Sequence, residues 1–107
     1  MKPIRRELLI HTISYAPPIS DSWGDPESVT PVTVKRVRVE PTNQLVRDGA
    51  GEQIIANTVL FWDRIVSTPC NFEINGKVAF NGREMTIVNI ADYYDRANLH
   101  HKEITLK

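Results

Sequence analysis

The sequence predicts an all-β fold, a small antiparallel β-barrel with long loops. Three observations carry that expectation. The chain has 11 isoleucines, 10 valines and 8 threonines against 6 leucines and 6 alanines, and β-branched side chains suit the pleated surface of a sheet better than a helix. Short alternating runs recur, separated by turns rich in glycine, proline, asparagine and aspartate. No amphipathic run of ten or more residues exists to build a helix or a parallel βαβ unit. A closed or nearly closed barrel is the architecture that best shelters five or six such strands.

In chain order, residues 8–14, "LLIHTIS", read as a short first strand. Residues 15–28, "YAPPISDSWGDPES", carry three prolines and a glycine without periodicity, which predicts a long loop. Tyr15, Ile19 and Trp23 are spaced along it, either lapping over the core or meeting a partner chain. "VTVKRVRVE", residues 32–40, is the clearest strand. Val32 and Val34 share one face; after Lys35-Arg36 the phase shifts, and Val37 and Val39 are expected on the other, a sign of a bulge or strong bend.

Residues 41–53, "PTNQLVRDGAGEQ", have the composition of a wide, glycine-containing hairpin loop. "IIANTVLFWD" follows, with Ile55, Val59 and Phe61 on one face and Ile54, Ala56, Leu60 and Trp62 on the other. A strand apolar on both faces needs cover on both, from the core and from a loop or neighbouring subunit. Asp63-Arg64 end that strand, and "STPCNFEI" is an excursion. Asn81-Gly82 is the strongest short hairpin signal in the chain, with Val78 and Phe80 before it and Met85 and Ile87 after it. Either Asn89 or a local bulge interrupts the next strand, and "LHHKEITL", residues 99–106, is the last.

At 107 residues the chain predicts one domain, 1–107, which buries roughly 65% of its unfolded surface. Lysine plus arginine and aspartate plus glutamate number 13 each, so no global field draws the protein to nucleic acid or an anionic membrane. The lone Cys70 has no internal disulfide partner. The apolar run in "MKPIRRELLI" is too short for a secretory signal, and no stretch is long enough for a membrane helix. The expectation is a protein that works in solution or inside an assembly.

Chemistry would have to come from His11, His100, His101, Asp92, Asp95, Glu103 and Cys70. Strict alternation puts His101 and Glu103 on one face of the last strand and His100 on the other, which spoils the histidine pair as a chelator. His101 and Glu103 with Asp92 or Asp95 make the one weak metal-site alternative. The expected role of this junction is instead a strand–turn–strand joint, with one of Tyr93 and Tyr94 inward and the other at a rim. No cofactor is expected. Lys35, Arg36 and Arg38 form a local basic cluster, a solvated face or a patch for an acidic partner or DNA, so a small nucleic-acid-binding barrel is the alternative function.

The second half also has a family look. Asp63-Arg64 after an apolar strand, "NGKVAFNG" at 75–82, "TIVNIADYYD" at 86–95 and "LHHKE" at 99–103 resemble the small minor capsid proteins of tailed phages and prophages. These are similar to the head-completion, or head-to-tail connector stopper, proteins of long-tailed phages. The resemblance covers roughly residues 8–107. It implies a non-enzymatic ring beneath the portal and its adaptor in the virion, closing the DNA-filled head and docking the tail through the tail-terminator protein. Contact with further copies and proximity to packaged DNA follow from it. Assembly contacts then fall to Trp23, Lys35, Arg36, Arg38, Asp63, Arg64, Asp92, Tyr94, Asp95, His101 and Glu103, with the 15–28 and 41–53 segments meeting neighbours or plugging the channel.

Overall fold

The computed structural model describes residues 6–18, 31–47 and 51–107. Six strands form in chain order: β1 (His11–Ala16), β2 (Val32–Arg47), β3 (Gln53–Asp63), β4 (Lys77–Phe80), β5 (Arg83–Asp95) and β6 (Asn98–Leu106), with a short 3₁₀ turn at Arg6–Leu8. They close into an antiparallel barrel in the order β1-β2-β3-β6-β5-β4, with β4 returning to β1 through Ser14↔Ala79, Tyr15↔Val78 and Ala16↔Lys77. The all-β barrel expectation holds.

Closing so few strands demands sharp coiling, and β-bulges supply it. His11 pairs with Val37 and Thr12 with Lys35, so Arg36 is the extra residue, at φ 58°. This corrects the expected face switch. The bulge absorbs the phase shift, and Val34 and Val37 both point inward, each fully buried. Val32, expected beside Val34, is 46% exposed. A second bulge on β2 lies between Pro41 and Gln44. A third, at Val88 on β5, falls between the pairs Ile87↔Leu106 and Asn89↔Thr105. It lets both Ile87 and Val88 be buried, which settles the ambiguity at Asn89 in favour of a bulge.

The strand boundaries also differ from expectation. Tyr15 and Ala16 belong to β1, and the Tyr15 ring is buried against Phe72, centroids 5.0 Å apart. The prolines at 17 and 18 stop the strand after Ala16, so Tyr15 lies within it. The remaining expected loop residues, Trp23 included, lie outside the described residues. Residues 41–47 are strand rather than loop, because β2 runs on to Arg47 and pairs with β3 from Gln53. Residues 41–47 and 53–57 thereby make a two-stranded ribbon that leaves the barrel wall, since β6 begins pairing with β3 only at Thr58. On it, Leu45 and Ile55 are directly paired and 66% and 62% exposed.

Inside the barrel, Ile13, Tyr15, Val34, Val37, Leu60, Trp62, Phe72, Val78, Met85, Ile87, Ile104 and Leu106 form one core. The connection from β3 to β4, residues 64–76, contributes to it. It cannot go straight to β4, because β6 and β5 stand between, so it climbs along β2 and β1 and lowers Phe72 into the barrel. Thr68 exchanges two hydrogen bonds with Lys35, and the Glu73 amide donates to the Tyr15 hydroxyl at 3.0 Å. The link ends at Gly76, where any Cβ would lie 2.7 Å from the Tyr15 ring and 3.0 Å from the Glu73 carbonyl oxygen. At the far end Asn81 and Gly82, at φ 52° and 76°, make the two-residue turn that their sequence predicts.

The corner that starts this connection is built on Asp63, which is fully buried. Its carboxylate accepts the amides of Ile65 and Val66, both at 2.9 Å, and its own amide donates to the Ser67 hydroxyl. That hydroxyl donates in turn to the Arg36 carbonyl, tying the corner to the β2 bulge. Removing the carboxylate orphans two amides in a half-buried turn. Asp63→Ala is expected to lower unfolding free energy by about 2–3 kcal/mol in urea denaturation, and Asp63→Asn, which keeps one acceptor oxygen, by less than half of that.

Candidate functional site

Three surfaces concentrate the polar and apolar groups that the core does not use. The first is the β5–β6 junction. Asp95 pairs with Asn98 across a two-residue turn in which Arg96 takes φ 56°. Tyr93 pairs with His101 and Tyr94 with Leu99, so His100 is an extra residue that resets the alternation. The expected opposition of the two histidines is therefore wrong: His100 Nδ1 lies 2.7 Å from His101 Nδ1. One ring must donate and the other accept. His101 Nε2 meets Glu103 at 3.0 Å, and the Tyr93 ring stacks on His101 at 4.8 Å with the planes 3° apart.

His101 is thus a covered side chain, not one pointing to solvent. Tyr93 and Tyr94 are both exposed, at 45% and 60%, so the expected inward tyrosine is absent. Asp92 turns to Lys102, 3.7 Å away, and does not join His101. Among the described residues no group of three or more His, Cys, Asp or Glu converges as metal ligands would.

The second surface is the outer wall of β2 and β3. The 3₁₀ turn and the residue after it bring Leu8 and Leu9 to this wall beside half-buried Phe61 and Arg38. The twofold apolar character of β3 is met there by the chain's own N-terminal segment. A cleft of about 330 Å³ remains beside it, lined by Leu8, Leu9, Arg38, Glu40, Phe61 and His101. Arg38 is paired with Glu40 and donates to the Leu8 carbonyl, so it belongs to this cleft and not to a cluster with Lys35 and Arg36. His11 closes the edge of β2 nearby, its Nδ1 accepting the Val39 amide at 2.9 Å. Toward the ribbon the same strand ends in the bare Leu45–Ile55 pair.

The third surface surrounds the Asp63 corner. Lys35, Arg36 and Arg64 are exposed there, and Arg64 bridges to β6 by donating from Nε to the Leu99 carbonyl and from its amide to the His100 carbonyl. Of the residues singled out in the sequence, the fold brings Lys35, Arg36, Asp63 and Arg64 together. Asp92, Tyr94, Asp95, His101 and Glu103 gather on the β5–β6 junction. Ser67, Thr68, Leu8, Leu45 and Ile55 were not foreseen. The aspartate four residues before Ser67 was the available hint of a side-chain-built corner.

Cys70, in the β3–β4 connection, packs against the core half-buried. Burial pushes its thiol up to about 11, with Lys102 only partly offsetting. The folded state then holds the proton more tightly than the unfolded chain, so this contribution to stability is present at neutral pH and is lost as pH rises from about 8.5 towards 11. Alkylation at pH 8 is expected to run about two orders of magnitude slower than for an unstructured thiol, and to recover on unfolding in urea. Rapid labelling of the native protein would contradict this placement.

The comparisons with known proteins bear on these surfaces as an assembly. No curated protein and no solved structure matches the chain. The sequence pattern of the family described as "Minor capsid protein" matches residues 5–106, from the segment before the 3₁₀ turn through the end of β6. That span takes in the barrel, the ribbon, the corner and the β5–β6 junction alike. This closed barrel therefore belongs to the minor capsid protein family and is a structural component of a phage virion.

Proposed function

We propose that this minor capsid protein is a head-to-tail connector of the stopper type. It closes the DNA-filled head after packaging and presents the surface on which the tail docks. Its partners are the portal and adaptor on one side, the tail-terminator protein on the other, and further copies of itself in a ring. It does this without catalysis.

The observation that carries the reading is the ribbon of β2 and β3. A chain in the minor capsid family devotes residues 41–47 and 53–57 to a projection that adds little to its own core. The ribbon displays a directly paired Leu45 and Ile55 to solvent, while the same wall holds an apolar cleft at Leu8, Leu9 and Phe61. Exposed apolar projections and unfilled apolar clefts suit a protein whose surface is completed by neighbours. Ring contacts are heterologous, one patch meeting a different patch on the next copy. The β5–β6 junction, with its exposed tyrosines and Asp92, supplies further contact area in this reading.

Deleting the gene in a producing phage is expected to give heads and tails that are each made but not joined, with heads that lose their DNA. Electron microscopy and a nuclease-protection assay read the two defects. Leu45→Asp with Ile55→Asp is expected to leave the purified barrel folded while lowering its incorporation into particles at least tenfold. Normal tailed particles from the deletion would overturn the proposal.

A further inference from the structure

Four cations form a belt along the end of the barrel that carries the Asp63 corner and the β5–β6 turn: Lys35, Arg36, Arg64 and Arg96. Ser67 and Thr68 bind the backbone of Arg36 and Lys35, Arg64 reaches the Leu99 and His100 carbonyls, and Leu99 pairs with Tyr94 just below the Arg96 turn. All four side chains are exposed.

Two features set this belt apart from an ordinary solvated face. Among the described residues, the side chains of Lys35, Arg36 and Arg96 have no hydrogen-bond or ion-pair partner, while the acids nearby are engaged. Asp63 holds two amides, Asp92 faces Lys102, and Asp95 also has a partner. Second, Arg36 and Arg96 occupy left-handed backbone, at φ 58° and 56°. The other non-glycine residues at positive φ among those described are Asn75 and Asn81, the residue type that tolerates this region. Glycine would suit both bulge and turn better than arginine. Strained positions that keep a long cation are where function is to be sought.

We infer that this belt contacts the phosphate backbone of double-stranded DNA. The cations come from β2, the β3–β4 corner and the β5–β6 turn, a row of neighbouring elements whose charges can meet several phosphates of a duplex. Tyr94, 60% exposed beside the turn, adds a hydroxyl of the kind that binds phosphate oxygens. The belt offers cations and hydroxyls to phosphate oxygens, so contact is to backbone charge and carries no sequence preference. The inference rests on the connector reading only for the choice of duplex DNA as the polyanion. It concerns the isolated protein, so binding can fail while tail attachment stands.

The test is fluorescence anisotropy with a labelled duplex of about 30 base pairs, from 50 to 200 mM salt, alongside thermal melts. Wild type is expected to lose about 100-fold in affinity over that range, as four phosphate contacts require. Arg36→Gly and Arg96→Gly should each reduce the salt slope by about 1 and melt at or above the wild-type temperature. Arg83→Ala, exposed beside the Asn81-Gly82 turn at the opposite end, should leave the slope unchanged. Absence of binding at 50 mM salt would overturn the inference, as would a slope that the glycine variants do not alter. Lower melting of those variants would make the arginines structural and overturn it too. Preferential binding of polyaspartate over the duplex would assign the belt to an acidic protein face instead.

Discussion

The fold turns on the exit from β3. A barrel ordered β1-β2-β3-β6-β5-β4 strands the end of β3 three positions from the start of β4, and the chain must bridge that gap without leaving backbone groups unpaired. Asp63 makes this possible by replacing strand pairing with side-chain acceptors for the next amides. Ser67 and Thr68 then take over the β2 edge that β3 has vacated, bonding Arg36 and Lys35. The Trp62 indole donates to the Thr68 carbonyl at 2.8 Å, which locks the corner to the core. Only because the corner holds can Phe72 enter between Tyr15 and Trp62 and fill the barrel. A hydrophobic side chain there would bury surface yet leave the amides unsatisfied.

Stagger does the rest. Bulges at Arg36, at 42–43, at Val88 and at His100 let each strand keep its inward face while the barrel coils. The same stagger carries two hairpins past the wall, the β2–β3 ribbon at one end and the β5–β6 junction at the other. A monomer gains little from a ribbon whose apolar pair stays wet. In the proposed ring the same pair becomes contact area. The division between a small dry core and projecting hairpins is thus the physical link between this fold and a capsid role.

Much of this was legible in the sequence. The β-branched excess and turn spacing predicted the barrel, Asn81-Gly82 predicted its hairpin, and the broken phase at Lys35-Arg36 marked a true bulge. The errors share one cause, which is that local pattern does not report pairing. His100 and His101 were separated by strict alternation, but a bulge at His100 brings their rings together. Residues 41–53 looked like a loop because a proline, an asparagine and two glycines punctuate them, yet a bulge lets Pro41 and residues 44–47 pair with β3. Tyr15 was assigned to the loop because two prolines follow Ala16, yet it is the buried penultimate residue of β1. The Asp63 corner left only the hint of an aspartate four residues before Ser67, because the ties from Ser67 and Thr68 to Arg36 and Lys35 span about 30 residues of sequence. Membership of the minor capsid family was legible in motifs between residues 63 and 103, and the family match over 5–106 bears it out.

The claim that binds fold to function is that these barrels stand as a ring at the junction of head and tail. Electron cryomicroscopy of the intact virion, focused on the tailed vertex, measures it most directly. The account predicts a ring of six-stranded barrels between the portal assembly and the tail, each β2–β3 ribbon reaching the Leu8–Phe61 cleft of the next copy. Barrels distributed over the capsid faces, or absent from the tailed vertex, would contradict it.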